Sequence, residues 1–409
     1  MTERVLHRRA ADTQRWEIAS AFDLDGGSVL VAGDLLPSRG IEYLVQRDGG
    51  NRLEILSSEG DAAGTVPAGA EPPSYRQTIG DFDGDGYEDV ALFTKEPQAV
   101  TFFNAYGKEL YRQRFFYTWD TVITVSYWDA ETIVFGVNAG YRLEPRGALV
   151  VDRTGSEPFR ILGGASALPL RMVMVSDSHV LIPSFTAHNG ARYDHGSLGI
   201  ETDTELALKV FDRRTHELTS IVRSLSPPAA DHGYLIPFSL ADSDGDRQFY
   251  VTEAKFRGYY PGTPRIYHFD PPSGDLEIRV DGPQDSAVRI PCAGRYEGDE
   301  AVFVLWSAPD AIDVLSTDFV RALRPRREPR EALPKGQVQV LDLDGDGTSE
   351  IVGLDAGHIR IVDDLGTVLF TFPKVEGRPA GWMIDERSAD GELGVVIWDS
   401  RRVVRYVSR

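Results

Sequence analysis

The stretch Asp81–Phe93 reads DFDGDGYEDVALF, and Asp342–Leu354 repeats it as DLDGDGTSEIVGL. Acids stand at positions 1, 3, 5 and 9 of each copy: Asp81, Asp83, Asp85 and Asp89 in one, and Asp342, Asp344, Asp346 and Glu350 in the other. Alternate residues of a tight loop point to one side, so these carboxylates can converge on a hard cation. Gly84 and Gly86 permit the sharp turn. The carbonyls of Tyr87 and Thr348, at position 7, can complete an oxygen shell. Anionic oxygens without His or Cys select calcium over zinc or copper. An EF-hand opens the same way but needs Glu at position 12 and a helix on each side. Position 12 is Leu92 in one copy and Gly353 in the other, and strand-like runs flank both loops, which excludes that reading.

A third segment, Asp242–Val251 (DSDGDRQFYV), keeps Asp242, Asp244 and Asp246, but Arg247 replaces the glycine and position 9 is Tyr250. Fainter echoes at Asp34, Asp129, Asp177, Arg295 and Asp385 follow the same rhythm, with a spacing close to 47 residues and one long interval from 177 to 242. A repeat of that length, made of short alternating runs punctuated by Gly, Asp and Pro, predicts four-stranded propeller blades. Each unit reads as strand A, an Asp-rich loop, then strands B, C and D; in the second unit these fall near 75–80, 89–94, 98–104 and 109–115. The count favours an all-β propeller of eight blades, with seven also open, in one domain over residues 1–409. The last unit lacks an outer strand, which the N-terminus can supply from Trp16–Phe22 or from the run at Val5. Closure of this kind removes free sheet edges.

The motif resembles the FG-GAP/VCBS repeat of integrin α-chain propellers and many bacterial propeller proteins. The resemblance implies at least two calcium ions held in A–B loops at one end of a propeller, mainly to rigidify it. Some polysaccharide lyases are similar propellers, so the family spans binders and enzymes, and the fold cannot choose between them.

Strand direction places any ligand site at the end opposite the calcium loops. The extra length of the fourth unit lies between strands B and C, at about 184–204, and carries His188, Arg192, Tyr193 and His195. Long loops in compact domains are usually functional or disordered. Tyr141 and Arg142, Lys255, Arg257, Tyr259 and Tyr260, and His232 come from neighbouring loops of the same end. The first expectation is therefore a recognition module for a glycan or protein, anionic ligands included. The alternative is a lyase cleaving a uronate-containing glycan by β-elimination. There Arg192 or Arg257 neutralises the carboxylate, His188 or His195 takes the C5 proton, and Tyr193 or Tyr259 protonates the leaving oxygen.

A net charge of -20 repels nucleic acid and anionic membranes and suits cations. No apolar run approaches a membrane span, and the opening MTERVLHRRAADTQ lacks the apolar core of an export signal. Calcium loops nonetheless favour an extracellular or periplasmic setting, and the sequence leaves the compartment open. Cys292 is the only cysteine, so no disulfide forms within the chain, and its place at a strand end suits the core. There is no Gly-x-Ser-x-Gly elbow, phosphate-binding loop or dinucleotide turn.

Overall fold

A computed structural model describes residues 16–408 apart from 38–39, 48–51, 67–74, 96–97, 115–120, 130–131, 139–145, 153–158, 164–165, 168–171, 186–191, 224–232, 242–245, 256–263, 272, 284–286, 289–290, 308–310, 320, 328–337, 356, 374–380 and 386–392. The described strands form eight antiparallel sheets of four or five strands, and one separate two-stranded hairpin. The fold is an all-β propeller, as the repeat predicts. Each of the eight echoes lies at the A–B junction of its own sheet.

The second sheet shows the pattern. Tyr75–Gly80, Asp89–Lys95, Gln98–Phe103 and Glu109–Arg114 pair in chain order, in the registers Tyr75↔Phe93, Val90↔Phe103 and Phe102↔Tyr111. Strands B and C are covered on both faces by adjacent sheets, so they read as nearly continuous apolar runs: Ala311–Leu315 (AIDVL) is buried throughout. Outer strands such as Glu109–Arg114 (ELYRQR) are half exposed and carry charge.

Eight clusters of buried side chains lie one in each gap between successive sheets. One packs Phe82 and Phe102 of the second sheet on Ile133 and Phe135 of the third. The ring closes where Val396 and Val403 of the eighth sheet meet Leu24, Val29 and Tyr43 of the first. Trp16–Asp23 supplies the missing outer strand, pairing with Arg402–Ser408 from Trp16↔Ser408 to Asp23↔Arg402. Val5 lies outside the described residues. Closure thus joins the two ends of the chain in one sheet, and each large apolar side chain buried there contributes about 1.5–3 kcal/mol.

The fourth sheet carries the insertion. Strand B, His179–Phe185, pairs with strand C, Ala207–Asp212, and the chain between them forms a hairpin of Arg192–Asp194 with Ile200–Thr202 around a short 3-10 turn, Gly196–Leu198.

Candidate functional site

The two complete Asp loops share one frame. Gly80 pairs with Asp89 and Leu341 with Glu350, so eight residues bridge each pair of strands. The position-1 carboxylate turns inward: Asp81 accepts from the amides of Gly84, Asp85 and Gly86 at 2.7–3.0 Å, and Asp342 from those of Gly345 and Gly347 at 2.8 and 3.1 Å. Glycine at positions 4 and 6 is required by the left-handed backbone there, with φ of +81° and +96° in the first loop and +73° and +88° in the second.

Position 9 closes the loop from beneath. Asp89 accepts from the amides of Phe82 and Asp83 at 2.7 and 3.2 Å, and Glu350 from that of Leu343 at 2.8 Å. Burial pushes the Asp89 carboxyl up to about 7 and that of Glu350 up to about 8, against the pull of these amides. Position 8 ties each loop to the preceding sheet. Glu88 accepts from the Asp34 amide at 3.1 Å and donates its own to the Asp34 carbonyl; Ser349 makes the equivalent pair with Arg295.

Carboxylate oxygens of Asp81, Asp83 and Asp85 lie within 4.8 Å of one another, as do those of Asp342, Asp344 and Glu350. Asp83 Oδ2 accepts from Asn104 at 3.2 Å, whereas its Oδ1 is buried without a hydrogen-bond partner. Converging anionic oxygens, one of them orphaned, fit a hard divalent cation. Asp89 stands outside the first triad as the loop's closing cap, and Asp346 stands outside the second, accepting from the Thr348 amide. The Thr348 hydroxyl accepts from the amide of Glu297. Tyr87 is half-buried beside the first triad, its amide bonded to Asp85.

Of the third segment, Asp242 and Asp244 lie outside the described residues and Asp246 is exposed. Its frame differs: Ala241 pairs with Arg247, so five residues connect the strands, and Tyr250 is buried inside strand B opposite Phe238. The converse occurs at Asp34. There Gly33 pairs with Glu42, and Glu42 accepts from the amides of Leu35 and Leu36 at 2.9 and 3.1 Å, which is the same closing cap. The acids of positions 3 and 5 are absent. The echo at Asp34 therefore marks a full structural loop without a metal triad, and a carboxylate eight residues after the first Asp was the signal for it.

At the opposite end the insertion is anchored by buried charge. Glu201 lies 2.8 Å from Lys209 Nζ and 2.9 Å from His195 Nε2, and accepts from the Ser184 hydroxyl at 3.1 Å. Arg146 donates to Asp203 at 3.1 Å, both side chains being almost inaccessible. Burial raises the Glu201 carboxyl, and Lys209 and His195 together pull it further the other way, down to about 2. His195 is thus tied to a carboxylate, and Tyr193 packs on its ring at 4.8 Å. Arg192 is exposed on the hairpin. His188, Arg257 and Tyr259, with Tyr141, Arg142, His232 and Tyr260, lie outside the described residues. The sequence reading missed Glu201, Lys209, Arg146 and Asp203; a lysine interrupting the buried run ALKVF was the available sign. Cys292 is half-buried at the start of Cys292–Tyr296, where burial pushes its thiol up to about 11, away from the reactive thiolate.

Among the described residues no helix is long and apolar enough to cross a membrane. No family model and no curated protein matches the chain. Solved propellers do resemble it. Dihydro-heme d1 dehydrogenase NirN in complex with DHE aligns at 12% identity and TM-score 0.50, covering 94% of this chain and 78% of that one. The β-propeller domain of Myceliophteria thermophila Cps50 (Swd1) aligns at 12% identity and TM-score 0.44 over 84% of this chain and 99% of that one. BBS1N, from its complex with ARL6DN, aligns at 10% identity and TM-score 0.45 over 97% of each chain. At such identities the likeness shows the fold alone.

Proposed function

We propose that this chain is a calcium-stabilised β-propeller recognition module of the FG-GAP/VCBS kind, taking a glycan or protein partner at the end that bears the fourth-sheet hairpin. The anchoring of that hairpin carries the reading. A loop held over buried Glu201–Lys209 and Arg146–Asp203 pairs is fixed in one pose, with Arg192, Asp194 and Ile200 facing outward. Pre-ordering a contact surface lowers the entropic penalty of binding.

Asp81, Asp83 and Asp85 would hold one calcium ion, and Asp342, Asp344 and Glu350 another, with Tyr87 and Thr348 available through their carbonyls. Bound there, calcium would neutralise the facing acids and fix the A–B loops. No described contact favours the lyase alternative, since three of its six side chains are outside the described residues and His195 is engaged by Glu201.

Two measurements test the proposal. Equilibrium dialysis with calcium is expected to give two or more bound ions, and absence of bound calcium at millimolar supply would overturn the metal half. Glycan and protein arrays probed with the wild type and with Arg192→Ala and Ile200→Ser variants test the other half. Signals that fall in both variants support the hairpin as the contact surface. Signals unchanged in both would remove it.

A further inference from the structure

A cavity of about 670 Å³ opens between the fourth and fifth sheets. Its walls come from the starts of the B strands, His179 and Arg247 to Phe249, and from the C–D turn of the fifth sheet, His268 to Pro271 with Ser273 and Gly274. Strand direction puts these at the same end as the Asp loops, away from the hairpin. The cavity therefore lies apart from the contact surface proposed above, and its size is that of a small-molecule site.

We infer that this cavity binds a small carboxylate that also carries hydroxyl groups. Arg247 lines it with an exposed guanidinium that forms no ion pair among the described residues, in a protein of net charge -20. A planar fork of donors left open in this way matches a carboxylate. His268 lies 3.3 Å from Gln248 Oε1 through Nε2. Because the amide oxygen accepts, Nε2 carries the proton and Nδ1 is left as an acceptor. Burial and the Arg279 charge both lower the His268 pKa, which favours that neutral form. Asp270 adds a carboxylate on the adjoining turn, so the cavity holds one open cation beside acceptors suited to hydroxyl hydrogens. The Ser220 hydroxyl is a further polar group, and Phe249 and Phe269 give an apolar floor for the carbon skeleton. A simple fatty acid would forgo the acceptors, and a neutral polyol would forgo the charge-assisted bonds of Arg247.

Three probes separate these requirements: D-gluconate, sorbitol with its carboxylate reduced, and hexanoate without hydroxyls. Calorimetric titration at fixed free calcium is expected to show saturable binding of gluconate in the millimolar range or tighter. Sorbitol and hexanoate should each bind about 10-fold more weakly or worse. Arg247→Ala should lower gluconate affinity about 10-fold or more, and Arg247→Lys should recover part of it. Asp270→Ala should narrow the preference for gluconate over hexanoate, because a hydroxyl acceptor is lost while the loss of its charge favours both carboxylates. Equal binding of gluconate and sorbitol, undiminished gluconate binding in Arg247→Ala, or no saturable binding by any probe would overturn the inference. Arg192→Ala should leave these titrations untouched, so failure here and failure of the hairpin as a contact surface are read separately.

Discussion

The two ends of the propeller handle negative charge in opposite ways. At the hairpin end, Glu201 and Asp203 are buried, and each has its own cation, Lys209 and Arg146. At the loop end, Asp81, Asp83 and Asp85 face one another, half-buried to exposed, and none forms an ion pair among the described residues. A buried carboxylate survives only if its partner comes with the fold. A partly solvated triad can wait for an ion from outside. Hairpin order is therefore intrinsic to the chain, whereas loop order, if the proposed calcium binds, would depend in part on the ion.

The largest expected effect breaks the intrinsic side. Lys209→Met leaves Glu201 buried with a hydroxyl and an imidazole but without its ammonium, and should cost about 3–5 kcal/mol in chemical denaturation. Calcium should not restore it. If calcium did, the two ends would be coupled and the contrast between them would be wrong. Withdrawing calcium from the wild type should cost less per site, about 2.7 kcal/mol for each ion when free calcium had stood about 100-fold above Kd. Asp83→Ala should abolish the first loop's share of that calcium-dependent rise in Tm and leave the share of the Asp342 loop. In chelator, Asp83→Ala should match or exceed the wild type, because one member of a repelling triad is gone.

Acid sharpens the same contrast. The folded Glu201 carboxyl, at about 2, lies below the ordinary 4.5. A depressed carboxyl contributes stability above the unfolded value, and that contribution disappears as pH falls from about 4.5 toward 2. In Lys209→Met burial still raises the Glu201 carboxyl while only His195 opposes it, so the carboxyl moves up and this contribution shrinks. The destabilisation of the variant should therefore be smaller near pH 4 than at pH 7, as urea midpoints across that range would read. A constant difference would assign Lys209 to packing alone.

Much of the architecture was legible because a repeat that binds its own turns must restate them. Asp, Gly and β-branched residues at fixed spacing located an A–B junction in every sheet, and Trp16–Phe22 was one of two N-terminal runs offered to close the ring, the one the structure pairs with Arg402–Ser408. What escaped was the division of labour inside the motif. The acids at positions 1, 3 and 5 looked like one ligand set with position 9. The structure separates them: Asp89 and Glu42 hold backbone amides, and Glu350 both caps an amide and joins a triad. The buried hairpin charges escaped for another reason. Arg146 is 57 residues from Asp203, and although Glu201 and Lys209 are only eight apart, nothing in the sequence shows that the hairpin folds back to bury one against the other.

That division of labour sets the smallest prediction. Asp242–Asp246 has the acids without the frame, since its five-residue connection ends at Arg247 and Tyr250 is buried in the strand where a closing carboxylate would stand. Asp34–Glu42 has the frame without the acids. If a metal loop needs both, Asp244→Ala should leave calcium stoichiometry and Tm as in the wild type, within about 0.5 kcal/mol. Asp83→Ala, read beside it by the same dialysis and melting curves, should lose one ion. Should Asp244→Ala also lose an ion, three alternating acids suffice to hold calcium in this fold, and the position-9 carboxylate serves only to shape the longer loop.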